Sequence, residues 1–377
     1  MTPTRRVPIA RPDLGEAEWH ALRECLETGW VIQGPRVKAF EEAFARRHST
    51  PHAVAASSGT TALHLALAAL DIGPGDEVIV PAFTWVATAN AVLYVGATPV
   101  FVDVRDDSYN LDCAQVAAAL TPRTRAVIPV HLFGLPADPD ALRAVLPAEV
   151  RIIEDAACAA GASYRGKPVG GLGDVGCFSF HPRKSITTGE GGMLTTADAT
   201  LARRARSLRN HGAEEPEPGA AFPDGLAPVE RLGFNYRMTD LQAAIGLVQL
   251  AKLDGYVAER DRWARWYRQE LAGIEWIGLP QVPEGFGHAW QAFVIQVREP
   301  APASRNQLMA RLEQQGIATR AGTHAVPELG LYRERFGFRP GQFPVASRLL
   351  LQTLAIPLHN RMTEDDYHYV AEALRAC

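Results

Sequence analysis

Short apolar runs alternate with helical stretches between residues 53 and 196 of this chain. The runs are typical of buried strands, and Thr61–Leu70 is apolar on nearly all sides, which indicates a buried helix. This alternation predicts an α/β fold with a mostly parallel, seven-stranded sheet sandwiched by helices. The predicted strands are Ala53–Ala56, Val78–Val80, Pro99–Asp103, Ala126–Val130, Val150–Glu154, Val175–Phe180 and Met193–Thr196.

The pattern changes after a loop rich in Pro, Gly and Glu at Gly212–Pro228. A capping box that begins at Thr239 predicts a long linking helix around residues 240–271. The elements predicted beyond it are strands at Ala292–Val297 and Ile317–Arg320 and helices near Arg305–Gln315 and after Thr363. We therefore predict a large domain over residues 1–250 and a smaller α+β domain over residues 251–377.

Composition and charge narrow the class of protein. The 38 basic and 42 acidic side chains give a formal net charge of −4, which does not favour nucleic acid as a partner. Five widely spaced cysteines without a CxxC pair argue against a disulfide framework or a zinc ribbon and suit a reducing cytoplasm, and we expect no metal site. The charge-free stretch Val78–Val102 contains Pro81 and Gly96, so it is interpreted as strand, helix and strand, not as a membrane span. We expect a cytoplasmic protein without a membrane partner.

One glycine-rich segment matches a nucleotide-binding pattern in the wrong context. Gly171–Gly176 fits GxGxxG, but that motif must follow a strand and open a helix whose N-terminus faces the pyrophosphate. Here a turn-like segment precedes the glycines, and Cys177–Phe180, which is typical of a strand, follows them. An NAD-dependent sugar-nucleotide oxidoreductase or epimerase is therefore only a remote alternative.

Three polar segments follow predicted strands, at the edge where parallel sheets bind ligands. Ser57–Thr60 opens a helix and offers amides and hydroxyls to an anion such as phosphate, with a plain helix cap as the alternative. Asp155 ends an apolar strand, where it needs a cationic partner or several donors unless it caps a helix. Lys184 leaves a strand end into a Gly- and Thr-rich loop that ends at Gly192.

The lysine is a candidate nucleophile. Only Lys38, Lys167, Lys184 and Lys252 of the 38 basic residues are lysines, and arginine cannot lose its proton, although chance retention explains most of the four. A partly desolvated lysine can form a Schiff base with a carbonyl. A phosphate cradle, a carboxylate for a protonated ring nitrogen and such a lysine are together what pyridoxal 5′-phosphate (PLP) requires.

Longer motifs around these residues resemble the fold-type I, PLP-dependent sugar aminotransferases of the DegT type. The resemblance extends over almost the whole chain, and the segments around Lys184 and Asn235 are its most specific parts. The matching motifs are Thr28–Pro35, Ser58–Leu63, Pro81–Asn90, Glu154–Ala157, Phe178–Phe180, Lys184–Gly192 and Gly233–Gln242.

The resemblance implies a role for each matching residue. Lys184 would hold PLP through a Schiff base and move a proton between the amino donor and the cofactor, which passes through pyridoxamine 5′-phosphate. Asp155 would keep the pyridine nitrogen protonated. The residues implied to contact the cofactor are Ser58, Gly59, Thr60, Trp85, Asp155, Cys158, Ser179, Lys184 and, across the interface of a homodimer, Asn235.

One position departs from the family pattern, which usually has glutamine three residues after the aspartate. This chain has Cys158 there, which cannot donate the same hydrogen bonds. Arg320 and His324 match a family region near the sugar-nucleotide entrance, and Arg237 is a candidate to bind a diphosphate or the carboxylate of the amino donor. The alternatives are a dimer contact for Arg237, a solvated side chain for Arg320 and a structural histidine for His324.

The resemblance implies the transfer of an amino group from L-glutamate to a keto sugar. Overall similarity favours a nucleoside-diphosphate 4-keto-6-deoxyhexose and a perosamine-type product. The alternative is a 3-keto sugar or keto-cyclitol aminotransferase of antibiotic biosynthesis. Relatives that dehydrate sugars carry His at the position of Lys184, so the lysine favours amino transfer. The presence of both Lys184 and Asp155 argues against a non-catalytic relative.

Overall fold

The computed structural model describes residues 5–215, 222 and 225–377, so positions 216–221, 223 and 224 of the predicted loop at Gly212–Pro228 lie outside the described residues. The strands, in chain order, are β1 (His52–Ala56), β2 (Glu77–Pro81), β3 (Phe83–Thr84), β4 (Thr98–Val102), β5 (Thr124–Val127), β6 (Arg151–Asp155), β7 (Ser163–Tyr164), β8 (Lys167–Pro168), β9 (Val175–Ser179), β10 (Gly192–Thr196), β11 (Ile277–Gly278), β12 (Phe286–Gly287), β13 (Phe293–Val297), β14 (Arg320–Ala321), β15 (His324–Ala325) and β16 (Thr353–Ile356).

The helices cover both faces of the larger sheet and flank the smaller one. In chain order they are α1 (Glu16–Thr28), α2 (Pro35–Arg47), α3 (Gly59–Ala69), α4 (Ala87–Tyr94), α5 (Cys113–Ala119), α6 (Pro139–Val145), α7 (Ala199–Arg209), α8 (Asp240–Glu270), α9 (Arg305–Gln314), α10 (Gly330–Phe336), α11 (Pro344–Gln352) and α12 (Glu364–Arg375).

A seven-stranded sheet with the order β1-β10-β9-β6-β5-β2-β4 forms the centre of the fold. Only β10 runs antiparallel to its neighbours, and the pairs from β9 to β4 are parallel. Every position of β2 and β10 is buried, as expected of strands covered on both faces. Each predicted strand overlaps one of these seven, which confirms the predicted mostly parallel sheet.

The two faces of the sheet have separate apolar cores. In β1, Val54 and Ala56 belong to the core that α3, α4 and α7 cover, whereas Ala53 and Ala55 belong to the core that α2 and α8 cover. This alternation follows from the two-residue period of a strand. Helices therefore lie on both faces, as predicted.

The C-terminal residues form a second, four-stranded sheet with the order β11-β13-β16-β14 and antiparallel pairing. The long helix α8 runs without a break from residue 240 to 270, and its Trp263 stacks on Tyr367 of α12 with ring centroids 4.1 Å apart. The strand predicted at Ile317–Arg320 begins only at Arg320, because Ile317 instead pairs with Val7. The division at residue 250 stays a prediction.

The glycine-rich segment Gly171–Gly176 binds a carboxylate of the chain itself. The backbone amides of Gly170, Leu172 and Gly173 donate to the carboxylate of the buried Glu154 at 2.7, 2.8 and 2.7 Å. These amides are therefore not free for a pyrophosphate, and the segment leads into strand β9 and not into a helix, as predicted.

Candidate active site

A cavity of about 330 Å³ lies at the carboxyl edge of the large sheet, where residues of the second sheet also line it. Strands β1, β6 and β9 end at this edge, so the chain segments that follow them converge there. The predicted site residues that line the cavity are Ser58, Gly59, Thr60, Trp85, Asp155, Cys158, Ser179, Lys184 and Arg320.

Lys184 lies in the turn that follows β9. Its backbone amide donates to the carbonyl of His181 at 2.8 Å, and the hydroxyl of Thr187 donates to the carbonyl of Phe180 at 2.8 Å. The lysine Nζ donates to the Sγ of Cys158 at 3.2 Å. The loop is therefore tied back to the strand, and the amine is held at the cavity wall.

Asp155 is the last residue of β6 and is only 5% exposed. Its Oδ2 accepts a hydrogen bond from the Thr88 hydroxyl at 2.7 Å, and its Oδ1 accepts one from the Ala157 amide at 3.2 Å. Burial raises the pKa of the Asp155 carboxyl, and these two bonds and the Lys184 ammonium partly oppose the rise. Because its hydrogen-bonding partners are neutral, a cationic group in the cavity would stabilise its charge.

The start of α3 forms an anion cradle. The Ser58 hydroxyl caps the helix by accepting from the Thr61 amide at 3.1 Å, while the amides of Gly59 and Thr60 have no acceptor within their own helix. A Cβ on Gly59 would lie 2.7 Å from the Cβ of Ser179. Glycine therefore lets the end of β9 approach the helix N-terminus, where amides, hydroxyls and the helix dipole favour a phosphate.

Trp85 is 55% exposed and faces the cavity. Its ring centroid lies 5.1 Å from that of His324, and β3 pairs with β15 so that Thr84 lies opposite His324. His324 does not line the cavity, although its Nδ1 is buried without a hydrogen-bond partner. An exposed indole at a cavity is a suitable surface for a flat ring.

Positive charge accumulates on one side of the cavity. Arg183 precedes the lysine, and burial lowers the pKa of its guanidinium, as does the charge of Arg320. Burial also lowers the pKa of the His181 imidazole; the carboxylate of Glu190 opposes this shift, and Arg183, Lys184 and Arg320 add to it. An anionic substrate group bound here would relieve the repulsion between the two guanidiniums.

Two further predicted residues, Asn235 and Arg237, do not line the cavity of their own chain. Arg237 donates from Nη1 to the Oδ1 of Asn210 at 2.8 Å, and Asn235 forms a backbone bridge with Asn210. The rings of Phe234 and Tyr236 stack with centroids 4.9 Å apart, whereas Asn235 between them is exposed. The structure therefore does not bring Asn235 or Arg237 to this chain's own cavity.

Sequence reasoning missed two side chains of the site. Arg183 lines the cavity and could have been noticed because it directly precedes Lys184. Thr88 lies within the quoted motif Pro81–Asn90, but nothing in the sequence indicates its hydrogen bond to Asp155, which is 67 residues further along.

The arrangement fits PLP. The cradle at Ser58, Gly59 and Thr60 suits its phosphate, the buried Asp155 carboxylate suits a protonated ring nitrogen, and the Lys184 amine suits its aldehyde. Within the described parts of the chain, no cluster of three or more His, Cys, Asp and Glu side chains could hold a metal ion. Nor does any described helix have the length and apolarity needed to cross a membrane.

Fold and site together define a fold-type I, PLP-dependent aminotransferase. The comparisons with known proteins agree. The chain belongs to the DegT/DnrJ/EryC1/StrS aminotransferase family, whose model matches residues 12–375. The predictions of the family, the fold, the cofactor and a sugar aminotransferase are thereby confirmed.

Individual relatives match over nearly their whole length. GDP-perosamine synthase of Caulobacter vibrioides is 41% identical over 377 residues, which cover 99% of each chain. The protein Spr1654 of Streptococcus pneumoniae in its PMP-form has a TM-score of 0.93 at 30% identity and 98% coverage of each chain. DesV of S. venezuelae has a TM-score of 0.89 at 37% identity, with coverage of 99% of this chain and 98% of that chain.

Proposed function

We propose that this enzyme moves the amino group of L-glutamate to a keto sugar carried by a nucleoside diphosphate, most closely a 4-keto-6-deoxyhexose. The product would be a perosamine-type amino sugar. The observation that carries the proposal is the 41% identity to GDP-perosamine synthase over 99% of both chains. The presence of Lys184 supports amino transfer over dehydration.

Each residue of the site has a task in this reaction. Bound PLP supplies an aldehyde for amine exchange and a ring that accepts electrons when a proton leaves the donor carbon. Lys184 would hold PLP at its aldehyde, and its free amine would move the proton between the donor carbon and the cofactor. Asp155 would hold a proton on the ring nitrogen of PLP, and Trp85 would offer its indole to one face of the ring.

The cationic side of the cavity would receive the anionic groups of the two substrates. L-Glutamate and a sugar nucleotide both carry negative charge, and both must reach the same amine in turn. Arg183 directly precedes Lys184 in the chain, and Arg320 on strand β14 lines the same cavity. Guanidiniums suit both carboxylate and diphosphate because they donate two parallel hydrogen bonds.

A homodimer completes the proposed site. The exposed Asn235 lies outside its own cavity and would reach the phosphate bound by a second copy. Large apolar side chains on and after α1 are also exposed, namely Trp19, Leu26, Trp30 and Ile32. Such a patch favours a protein interface. The proposed compartment is the cytoplasm, because the five widely spaced cysteines without a CxxC pair suit a reducing environment.

A substrate panel tests the proposed reaction. The PLP-loaded enzyme is given L-glutamate and one acceptor at a time: GDP- and dTDP-linked 4-keto-6-deoxyhexoses, a 3-keto sugar nucleotide and a keto-cyclitol. Release of 2-oxoglutarate is measured, and the 4-keto-6-deoxyhexoses should give the highest kcat/KM. A preference for the 3-keto sugar or the cyclitol would support the alternative, and no release with any acceptor would reject the proposal.

The matched control is Lys184→Arg, which keeps the positive charge but cannot form the imine. This variant should fold and bind PLP. Its rate of amino transfer should nevertheless fall by about 100-fold to 10,000-fold, which is the usual contribution of a positioned proton-transfer group. Borohydride should fix the cofactor to the wild-type enzyme only. Near-normal turnover of this variant would contradict the role of Lys184.

A further inference from the structure

A chain of two buried hydroxyls leads to the Asp155 carboxylate. The Thr88 Oγ1 donates to the Asp155 Oδ2 at 2.7 Å, and the Thr84 Oγ1 lies 3.0 Å from the Thr88 Oγ1. An ionised carboxylate can only accept, so the single hydrogen of Thr88 goes to Asp155. Thr84 must then donate to Thr88, which fixes the direction of the whole chain.

The helical position of Thr88 makes this bond unusual. A threonine in a helix commonly turns its hydroxyl back to a carbonyl of the preceding turn. Thr88 is the second residue of α4, and its amide already bonds to the carbonyl of Trp85 at 3.2 Å. Its hydroxyl instead crosses to β6, where Asp155 ends the strand, so the bond joins two separate elements of the site.

The turn that carries these hydroxyls is fixed on both sides. The Ala82 amide donates to the Val102 carbonyl, and the Val326 amide donates to the Ala82 carbonyl, both at 2.8 Å. Trp85 lies in the same turn, between the two threonines. One rigid segment therefore holds both the indole at the cavity and the donor to the carboxylate.

The electrostatics of Asp155 require such a donor. Burial raises its pKa, and among the opposing contributions the Thr88 hydrogen bond is the largest. The titratable groups whose charges interact with Asp155 include Lys184, His131 and Cys177, and Cys158 lines the same cavity. A carboxylate that is too basic would take the proton from a ring nitrogen, and the ring would then accept electrons poorly.

We propose that Thr88 is a positioning residue for the cofactor: its hydroxyl fixes the orientation of the Asp155 carboxylate and shares its charge, so that a proton stays on the ring nitrogen of bound PLP. Thr84 acts behind it by orienting the Thr88 hydroxyl. This inference rests on the role proposed above for Asp155, but it does not depend on which keto sugar is the acceptor.

The test compares Thr88→Val, Thr88→Ser and Thr195→Val. Valine keeps the shape but removes the hydroxyl, and serine restores it. Thr195 is the matched control, because its hydroxyl is equally buried but donates to a neutral carbonyl, that of Gly170, at 2.7 Å. The measurements are the pH titration of the visible absorbance of the PLP-loaded enzyme, the dissociation constant of PLP and the single-turnover reaction with L-glutamate.

Thr88→Val should move the absorbance titration to higher pH and weaken PLP binding. It should also slow the single turnover by about 10-fold to 100-fold, the usual effect of losing a hydrogen bond to a charged group. Thr88→Ser should return the absorbance titration to the wild-type pH range. It should also bring the dissociation constant of PLP and the single-turnover rate to within about 3-fold of wild type. Thr195→Val should leave the titration unchanged, although its melting temperature falls.

A measurement on the PLP-free enzyme is independent of activity. The Thr88 hydroxyl stabilises the ionised carboxylate more than the protonated carboxyl, so Thr88→Val should lose more thermal stability at neutral pH than at acidic pH.

If Thr88→Val does not fold, Thr84→Val replaces it. Thr84→Val should shift the absorbance titration, the dissociation constant of PLP and the single-turnover rate in the same direction, but by less. An unchanged titration in Thr88→Val, or an equal shift in Thr195→Val, would overturn the proposal. If no keto sugar accepts the amino group, the proposed function is rejected. The test of Thr88 still applies in that case, because it uses only PLP and L-glutamate.

Discussion

The Nζ atom of Lys184 lies 3.2 Å from the Sγ atom of Cys158, at the wall of the cavity that also contains Asp155. The amine that is proposed to bind the cofactor therefore has a thiol as its hydrogen-bonding partner. The resemblance to the family implies glutamine as the usual residue at the position of Cys158, so the thiol is a departure from that expected pattern. The contact with Lys184 connects the chemistry of the thiol to the loading of PLP.

Alkylation of the PLP-free enzyme by iodoacetamide should occur first at Cys158 and should prevent PLP loading. The Cys158 thiol is only partly buried and lines the cavity, where the reagent can reach it. Cys25 and Cys177 are buried, and burial raises the pKa of the Cys113 thiol to about 11 and also raises that of Cys377. Peptide mass spectrometry locates the label, and PLP absorbance measures the loading.

The control for this experiment is Cys158→Ala. The variant should bind PLP within about 3-fold of wild type, since only one weak hydrogen bond is lost. It should also keep its PLP loading after alkylation. Prior loading with PLP should protect the wild-type thiol. Labelling of Cys113 ahead of Cys158, or full loading of the labelled protein, would contradict the prediction.

Much of the site could be predicted because its residues follow strands directly. Periodicity located β1, β6 and β9, and chain order then placed Ser58, Asp155 and Lys184 at one edge of a parallel sheet. Each of these inferences needs only local sequence and a general rule about where such sheets bind ligands.

The remaining features depend on contacts between distant segments. The bond from Thr88 to Asp155 joins residues that are 67 positions apart, and the approach of Arg183 to Arg320 depends on how the second sheet meets the first. No periodicity encodes such contacts. The predicted strand Ile317–Arg320 was wrong in position for a similar reason, because Ile317 pairs instead with Val7 near the N-terminus.

The pH dependence of stability should reveal the buried charge of Asp155. Burial raises the pKa of this carboxyl, so between its ordinary and its raised pKa the folded state binds more protons than the unfolded state. The stability of the PLP-free enzyme therefore falls as pH rises through this interval. Asp155→Asn lacks this ionisable group and therefore does not lose this stability. The melting temperature of the variant minus that of the wild type should therefore increase from acidic to neutral pH.

Loading with PLP provides the control for Asp155→Asn. A protonated ring nitrogen compensates the charge of Asp155, so in the loaded proteins the stability difference should vanish or favour the wild type. The variant should also lose amino transfer by at least about 100-fold, because the ring nitrogen is no longer held protonated. A difference in melting temperature that is independent of pH would contradict the assignment of a buried charge to this residue.

Gly59→Ala should weaken PLP binding by about 10-fold or more without unfolding the protein, since a lost charge-assisted hydrogen bond has an effect of this size. The added Cβ would lie 2.7 Å from the Cβ of Ser179 and 3.3 Å from the carbonyl oxygen of Phe178, so α3 and β9 must move apart. The matched control is Gly255→Ala in α8, where no atom lies within 4 Å. That helical substitution should leave PLP affinity unchanged and stabilise the fold by about 1 kcal/mol.

Arg320→Met should raise the KM for the sugar nucleotide by about 10-fold to 100-fold with a smaller change in kcat, because a charge-assisted contact to the substrate is lost. The single-turnover reaction with L-glutamate should stay within about 3-fold of wild type. Arg348→Met is the control, since Arg348 is exposed and pairs with Asp106 at 2.9 Å. An effect of Arg320→Met on the glutamate reaction alone would assign this arginine to the amino donor instead.

Complementation between inactive variants should show whether two copies share each site. Lys184→Ala and Asn235→Ala are co-expressed with different tags, and the doubly tagged heterodimer is isolated. If Asn235 serves the cavity of its partner, one site in this heterodimer carries both defects and the other is intact, so activity should return to about half that of wild type. Lys184→Ala with Asp155→Ala is the control, because both residues line the cavity of their own chain and neither site is then intact. Activity in the control pair, or none in the test pair, would contradict the shared site.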